Sequence, residues 1–212
     1  ARGARVPRCI ERTSGSHAAR MSTASAHRAR HGAVAVRERA RLLHSPRAVS
    51  RALTRMAREV GEAVGGENPV FLAVMQGVMF TAVELAPRCD FPYELDYVHV
   101  TRYGNGLTGG AVEWRVRPST GLAGRTVVIV DDILDRGITL AALEAELAAI
   151  GVARVLKAVL VVKELREPVQ RPAVDVRGFT IEDVYVFGCG MDYEGYWRGL
   201  RGLYAADAQH PE

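Results

Sequence analysis

Three carboxylates, a glycine and a threonine break into an apolar run between residues 127 and 140, Val-Val-Ile-Val-Asp-Asp-Ile-Leu-Asp-Arg-Gly-Ile-Thr-Leu. Two adjacent carboxylates, Asp131 and Asp132, can accept hydrogen bonds from a diol. Val127 to Val130 have no polar interruption, which suits a strand buried on both faces of a parallel sheet. That strand is expected to end where the charge begins. Beyond Gly137, Leu140, Leu143, Leu147 and Ile150 recur at the spacing of one helix face, with Gly151 as the stop. The segment reads as strand, acidic turn, helix.

In an open α/β sheet, ligands sit outside the carboxyl ends of the strands, which puts Asp131 and Asp132 at the rim of a crevice. Residues 135 to 139 wrap around a helix start, where unpaired backbone N–H groups and the positive end of the helix dipole favour a phosphate. Gly137 allows close approach, and the Thr139 hydroxyl adds a donor. A group with both a diol and a phosphate is a ribose 5-phosphate. The run resembles the phosphoribosyl-pyrophosphate (PRPP) signature of type I phosphoribosyltransferases. That resemblance implies that Asp131, Asp132, Asp135, Arg136, Gly137, Ile138 and Thr139 bind PRPP, through backbone amides more than side chains in the phosphate loop. A Walker-type phosphate loop is excluded, since the chain has no G-x-x-x-x-G-K-[ST] and only two lysines.

The elements that would position this run lie on either side of it. From Ser45-Pro46 onward, Val49, Leu53, Met56, Val60 and Val64 form a helical stripe that ends at Gly65-Gly66. Val70 to Met75 reads as a second buried strand, followed by Gln76-Gly77 and a helix from about Met79 to Arg88. Taken alone, Gln76-Gly77 is either a rim position or an ordinary tight turn. By resemblance it binds pyrophosphate through backbone groups. Tyr93 to Thr101 is a further strand, and a loop with four glycines, Arg102 to Gly110, leads to a return strand from Ala111 to Val116. This is either a plain hairpin or a lid, and the resemblance implies a lid, with Tyr103 near its start and Arg102 where many relatives have serine.

Val155 to Val162 is an apolar strand that ends at Lys163, and Val184 to Phe187 is another, followed by Gly188 to Arg198. On physical grounds alone, Tyr185 is as readily a core or edge aromatic as a stacking platform, and Asp192 a solvated carboxylate. Both segments resemble the base-binding and carboxyl-terminal elements of hypoxanthine-guanine phosphoribosyltransferases, and the likeness extends over about residues 50 to 204. It implies that Lys163 donates to a purine 6-oxo group, Tyr185 stacks on the base and the Val186 backbone reads its 2-position edge. Asp192 would help hold Mg²⁺, and Arg198 would meet pyrophosphate. Asp131 and Asp132 would hold the ribose hydroxyls directly or through water and metal, and Asp135 would be the general base near N7.

The fold expected is α/β: a parallel sheet flanked by helices, with a small hood subdomain built from the chain ends and a flexible hairpin lid. At 212 residues, 48% hydrophobic and 25% charged, the chain suits one enzyme domain, taken as residues 41–212. Residues 1–40 are rich in Arg, Ala, Ser and Gly and are read as a basic, disordered arm. The first 20 are read as an upstream extension before Met21 in preference to a transit peptide. The net charge of +4 belongs to that end: residues 1–50 hold 11 arginines against Glu11 and Glu38, while the remainder holds 17 basic and 22 acidic residues. The basicity is thus a property of the amino-terminal arm and carries no argument about what the catalytic domain binds, for which nucleic acid is not the expected partner. Cys9, Cys89 and Cys189 are too scattered for a disulfide framework, and no apolar run is long enough to span a bilayer, so a cytoplasmic protein is expected. The reading is transfer of 5-phosphoribosyl from PRPP to a 6-oxopurine with Mg²⁺, by a homodimer or homotetramer. Its rivals are a transferase for xanthine, uracil or orotate, and a regulatory nucleic-acid-binding protein that kept a PRPP pocket.

Overall fold

The structure is a computed structural model that describes residues 23–102 and 112–207. Its centre is a six-stranded sheet in the order β4-β3-β2-β5-β6-β7. These are β2 (Val70–Met75), β3 (Glu94–Arg102), β4 (Val112–Val116), β5 (Thr126–Leu134), β6 (Arg154–Glu164) and β7 (Val176–Glu182). All neighbours pair in parallel except β4, which runs antiparallel to β3.

Strand alternation explains why the central strands have no polar face. Phe71, Ala73, Val128 and Val130 turn toward α2 (Pro46–Val64) and α3 (Met79–Leu85). Leu72, Val74, Val127 and Ile129 turn toward α4 (Ile138–Ile150). With helices on both sides, each strand is buried on both faces, as the apolar runs require. Ser45 caps α2 by accepting from the Ala48 N–H, and Pro46 occupies the first turn. All five stripe residues of α2 are buried, so Leu53→Ala would cost about 2–5 kcal/mol.

A second sheet of three short strands, β1 (Arg41–His44), β9 (Leu203–Ala205) and β8 (Val186–Phe187), joins the two ends of the chain into the hood. No helix among the described residues is long and apolar enough to cross a membrane.

Several sequence expectations are corrected. Residues 23–39, read as part of a disordered arm, form helix α1 (Thr23–Arg39), which buries Ala33 and Val36 against the hood. Strand β5 continues through both carboxylates to Leu134, because its parallel ladder with β6 continues to Leu134↔Val162. The acidic turn therefore begins at Asp135. The helix after Gln76-Gly77 stops at Leu85 and gives way to a 3-10 turn at Ala86–Arg88, where Pro87 removes a backbone donor. Ile150 is exposed at the last turn of α4, and the strand expected over Val184–Phe187 shrinks to β8.

Candidate active site

The chain passes from β2 through α3 to β3 on one side, and from β5 through α4 to β6 on the other, with β2 and β5 adjacent. Their carboxyl ends form the point where strand order reverses, the place where an open α/β sheet leaves a crevice. Gln76 and Gly77 follow β2 there, and Asp131 and Asp132 lie in the last residues of β5 beside them. The Met75–Gln76 peptide is cis. A Cβ on Gly77 would lie 1.7 Å from Asp132 Oδ2, so only a glycine lets this turn pass the carboxylate. A cleft of about 270 Å³ opens at the junction, lined by Gln76, Gly77, Asp131, Asp132, Asp135 and the start of α4 through Thr139.

The turn into α4 is built for close approach. Gly137 caps the helix with φ 76°, the left-handed region, and a Cβ there would also meet Arg171 Cβ at 2.8 Å. No side chain caps the first turn of α4, so its N–H groups face the cleft with the Thr139 hydroxyl beside them. Arg171 secures the turn from behind. Its guanidinium donates to the carbonyls of Asp135 (2.7 Å), Leu134 (3.4 Å) and Lys163 (2.5 Å), tying the turn to the end of β6. Arg136 is exposed and does not line the cleft.

Asp131 is buried, and desolvation holds its carboxyl well above the usual carboxylate range, with the Asp132 charge adding to the effect. Asp132 is also pushed up by desolvation, against the opposing pull of its own hydrogen bonds and of Arg198. The Asp132 N–H donates to Asp131 Oδ1, and the Ile133 N–H to Asp132 Oδ1. Among the described ion pairs none includes either residue, so a buried carboxyl stands beside a half-buried one, with only the more distant Arg198 charge opposing the pair. Two adjacent oxygen donors of this kind fit a hard divalent cation that takes its other ligands from water and a substrate phosphate. No group of three His, Cys, Asp or Glu side chains that could hold a metal alone occurs among the described residues.

A second pocket, about 200 Å³, meets the first at Asp132 and Ile133 and is lined by Lys163, Tyr185, Val186, Met191, Asp192 and Arg198. Lys163 is 9% exposed, and its ammonium lies 3.7 Å from both Asp135 Oδ1 and Asp183 Oδ1. Tyr185 is 43% exposed, and its hydroxyl donates to the Asp192 carbonyl. Both oxygens of Asp192 are engaged, one by Arg198 at 2.5 Å and the other by the Gly195 N–H at 2.6 Å. Arg198 also donates to the Gly190 carbonyl. The predicted residues thus divide into two adjoining groups, and Asp192 is held by Arg198 instead of joining Asp131 and Asp132. Arg102 ends β3, its backbone paired with Val112, while Tyr103 lies outside the described residues.

Arg171 and Asp183 were absent from the sequence reading. Arg171 sits in a stretch of mixed polarity beside Pro172, with no periodic signal. Asp183 comes near Lys163 only because β6 and β7 pair in the register Lys163↔Ile181.

Comparison with known proteins identifies the family and the fold. Residues 40–194 match the phosphoribosyl transferase domain family. The chain is 33% identical over 149 residues to a hypoxanthine-guanine phosphoribosyltransferase of Lactococcus lactis, a match covering 68% of this chain and 80% of that protein. It is 28% identical over 160 residues to a hypoxanthine-guanine-xanthine phosphoribosyltransferase of Tritrichomonas foetus, covering 76% and 87% respectively. Its fold is that of a hypoxanthine phosphoribosyltransferase from Staphylococcus aureus, with a TM-score of 0.74 at 21% identity over 79% of this chain and 91% of that one.

Proposed function

The chain belongs to the phosphoribosyltransferase family, and from that premise we propose that it transfers the 5-phosphoribosyl group of PRPP to N9 of hypoxanthine or guanine, releasing pyrophosphate in purine salvage. The observation that carries this reading is the meeting of two unlike pockets at Asp132 and Ile133. One combines carboxylates with an open helix start, as a ribose 5-phosphate needs. The other sets a half-exposed tyrosine ring beside a buried ammonium, as a flat base with a carbonyl needs. A bond exchanged at C1 would be made where they join.

In this reading, Thr139 and the backbone amides of residues 137–139 hold the 5-phosphate, with Ile138 contributing through its amide alone. Asp131 and Asp132 accept from the ribose hydroxyls. Gln76, Gly77 and Arg198 face the pyrophosphate. Tyr185 stacks on the purine, Lys163 donates to O6, and the Val186 backbone lies along the 2-position edge. The C1–O bond breaks with its electron pair leaving on pyrophosphate, while the N9 lone pair forms the new bond. Asp135 takes the proton from N7, and Lys163 beside it holds the carboxylate in place. Developing negative charge on the leaving group is met by Arg198. Mg²⁺, when bound by Asp131 and Asp132, would neutralise pyrophosphate charge; Asp192 could contribute only after releasing Arg198. Assembly as a homodimer or homotetramer and a cytoplasmic location complete the reading.

The test is PRPP-dependent conversion of hypoxanthine, guanine, xanthine, uracil and orotate by the purified protein with Mg²⁺. Nucleotide formed from hypoxanthine or guanine is expected. Turnover of only a pyrimidine, or of no base at all, would overturn the assignment.

A further inference from the structure

Helix α1 lies outside residues 40–194, the part that matches the family, yet its inner face is buried in the hood. Ala33 and Val36 are 1% and 2% exposed and pack with Phe187 and Tyr193. The Trp197 indole N–H donates to the Ala33 carbonyl at 2.7 Å, and the Arg37 guanidinium stands 4.0 Å over the Tyr204 ring. These contacts fall on the back of the second pocket. Tyr193 meets Tyr185 edge to face, with 5.7 Å between ring centroids, so the wall behind the exposed tyrosine is itself backed by α1. Trp197 sits at φ 68°, a conformation that large side chains rarely adopt, and must be held there by its surroundings. The next residue is Arg198.

We infer that α1 is a positioning element for the base side of the active site, acting through Tyr193 on Tyr185 and through Trp197 on Arg198. The inference rests on the reading of the second pocket as a base site. A purely structural cap would change the amount of folded protein. A positioning element changes the affinity of the folded protein for its base, because a displacement of about 1 Å in a supporting residue can cost up to about 100-fold at the reacting centre.

Four proteins test this against the full chain: one starting at residue 23, one starting at residue 40, Val36→Asp and Trp197→Phe. Only two tryptophans occur in the chain. Trp197 emission can therefore be followed alone, in a Trp114→Phe background, to report whether α1 is docked. The chain from residue 23 should match the full protein. The chain from residue 40 and Val36→Asp should shift Trp197 emission to the red and raise KM for hypoxanthine by about tenfold, with a fall in kcat per folded molecule through the displaced Arg198. Trp197→Phe, which keeps an aromatic ring but loses the indole donor, should raise that KM by about fivefold. A red shift with KM within twofold of the full chain would overturn the inference, as would emission unchanged in Val36→Asp. If the chain from residue 40 does not fold, the two point variants decide. If the full chain transfers phosphoribosyl to no base, the functional assignment has failed, and Trp197 emission alone decides whether α1 holds the hood.

Discussion

Replacing Asp131 with asparagine removes the buried member of two adjacent carboxyl groups without removing the Oδ1 that accepts from the Asp132 N–H. Desolvation and the Asp132 charge both raise the Asp131 carboxyl, so in the ligand-free protein the ionised pair opposes folding. Below the ordinary value of 3.8, folded and unfolded chains are both protonated and the penalty is absent. As pH rises through the raised folded-state pKa, the unfolded chain releases its proton first, and the folded form loses stability relative to it. Relief of one charge in such a pair should stabilise the ligand-free protein by about 0.5–2 kcal/mol at pH 7.5, the range of other single stabilising substitutions. In a chain of this size that corresponds to about 2–4 °C in Tm for each kcal/mol. Thermal melts of wild type and Asp131→Asn in EDTA, from pH 4.5 to 8, should show a gap in favour of the variant that widens with pH. Adding Mg²⁺ and PRPP should reverse the order, because the wild-type pair then has positive charge and hydroxyl donors to meet. A variant less stable than wild type at pH 7.5, or a gap independent of pH, would refute the argument that these carboxylates are held at the expense of stability.

Asp135→Asn should leave PRPP binding within about twofold but lower kcat by ~10², the usual size of a general-base contribution, as pre-steady-state turnover would reveal. Gly77→Ala would put a methyl 1.7 Å from Asp132 Oδ2; since the strand end and the turn cannot both keep their places, calorimetry should show loss of most PRPP affinity in a protein that still melts cooperatively. Lys163→Gln leaves Asp135 and Asp183 facing each other without their shared ammonium, and should cost hypoxanthine about 1.5–3 kcal/mol in kcat/KM. Adenine, with no 6-oxo group, should be much less affected, so a uniform loss across bases would show that Lys163 serves structure instead. Arg171→Ala frees the Asp135 carbonyl and the turn before α4, and should raise KM for PRPP by about tenfold with little change for the base.

The parts of this molecule that could be read from sequence are those whose signal is local. β5 and α4 announce themselves through an apolar run, a block of charge and a stripe of leucines, and the acidic pair falls near the carboxyl end of the strand, where a parallel sheet leaves its crevice. Even there the boundary was set from a distance. Nothing between Val130 and Leu134 says that the ladder continues past two carboxylates, because the partner that carries it is the apolar stretch Val159 to Val162 on another strand. The hood was anticipated only as an assembly of chain ends. Its strands are four, two and three residues long and pair Arg41 with Ala205, a register that no window of neighbouring residues contains. β7 went unread although its burial alternates, since it follows a proline-interrupted stretch and is an edge strand with Arg177 and Glu182 exposed.

The α1 helix marks the opposite limit. Its sequence is polar and weakly patterned, and most helical stability in proteins comes from tertiary packing instead of local propensity. Its support is Phe187, Tyr193 and Trp197, more than 150 positions away, which bury Ala33 and Val36 and satisfy an added acceptor. Composition alone therefore read as disorder. The same dependence works in reverse: a left-handed Trp197 and an edge-to-face tyrosine pair have no local reason to stand where they do, and α1 supplies one from the other end of the chain. The chemistry of the cleft is thus written in a few adjacent residues, while the shape of the pocket that chooses the base depends on contacts between the chain ends.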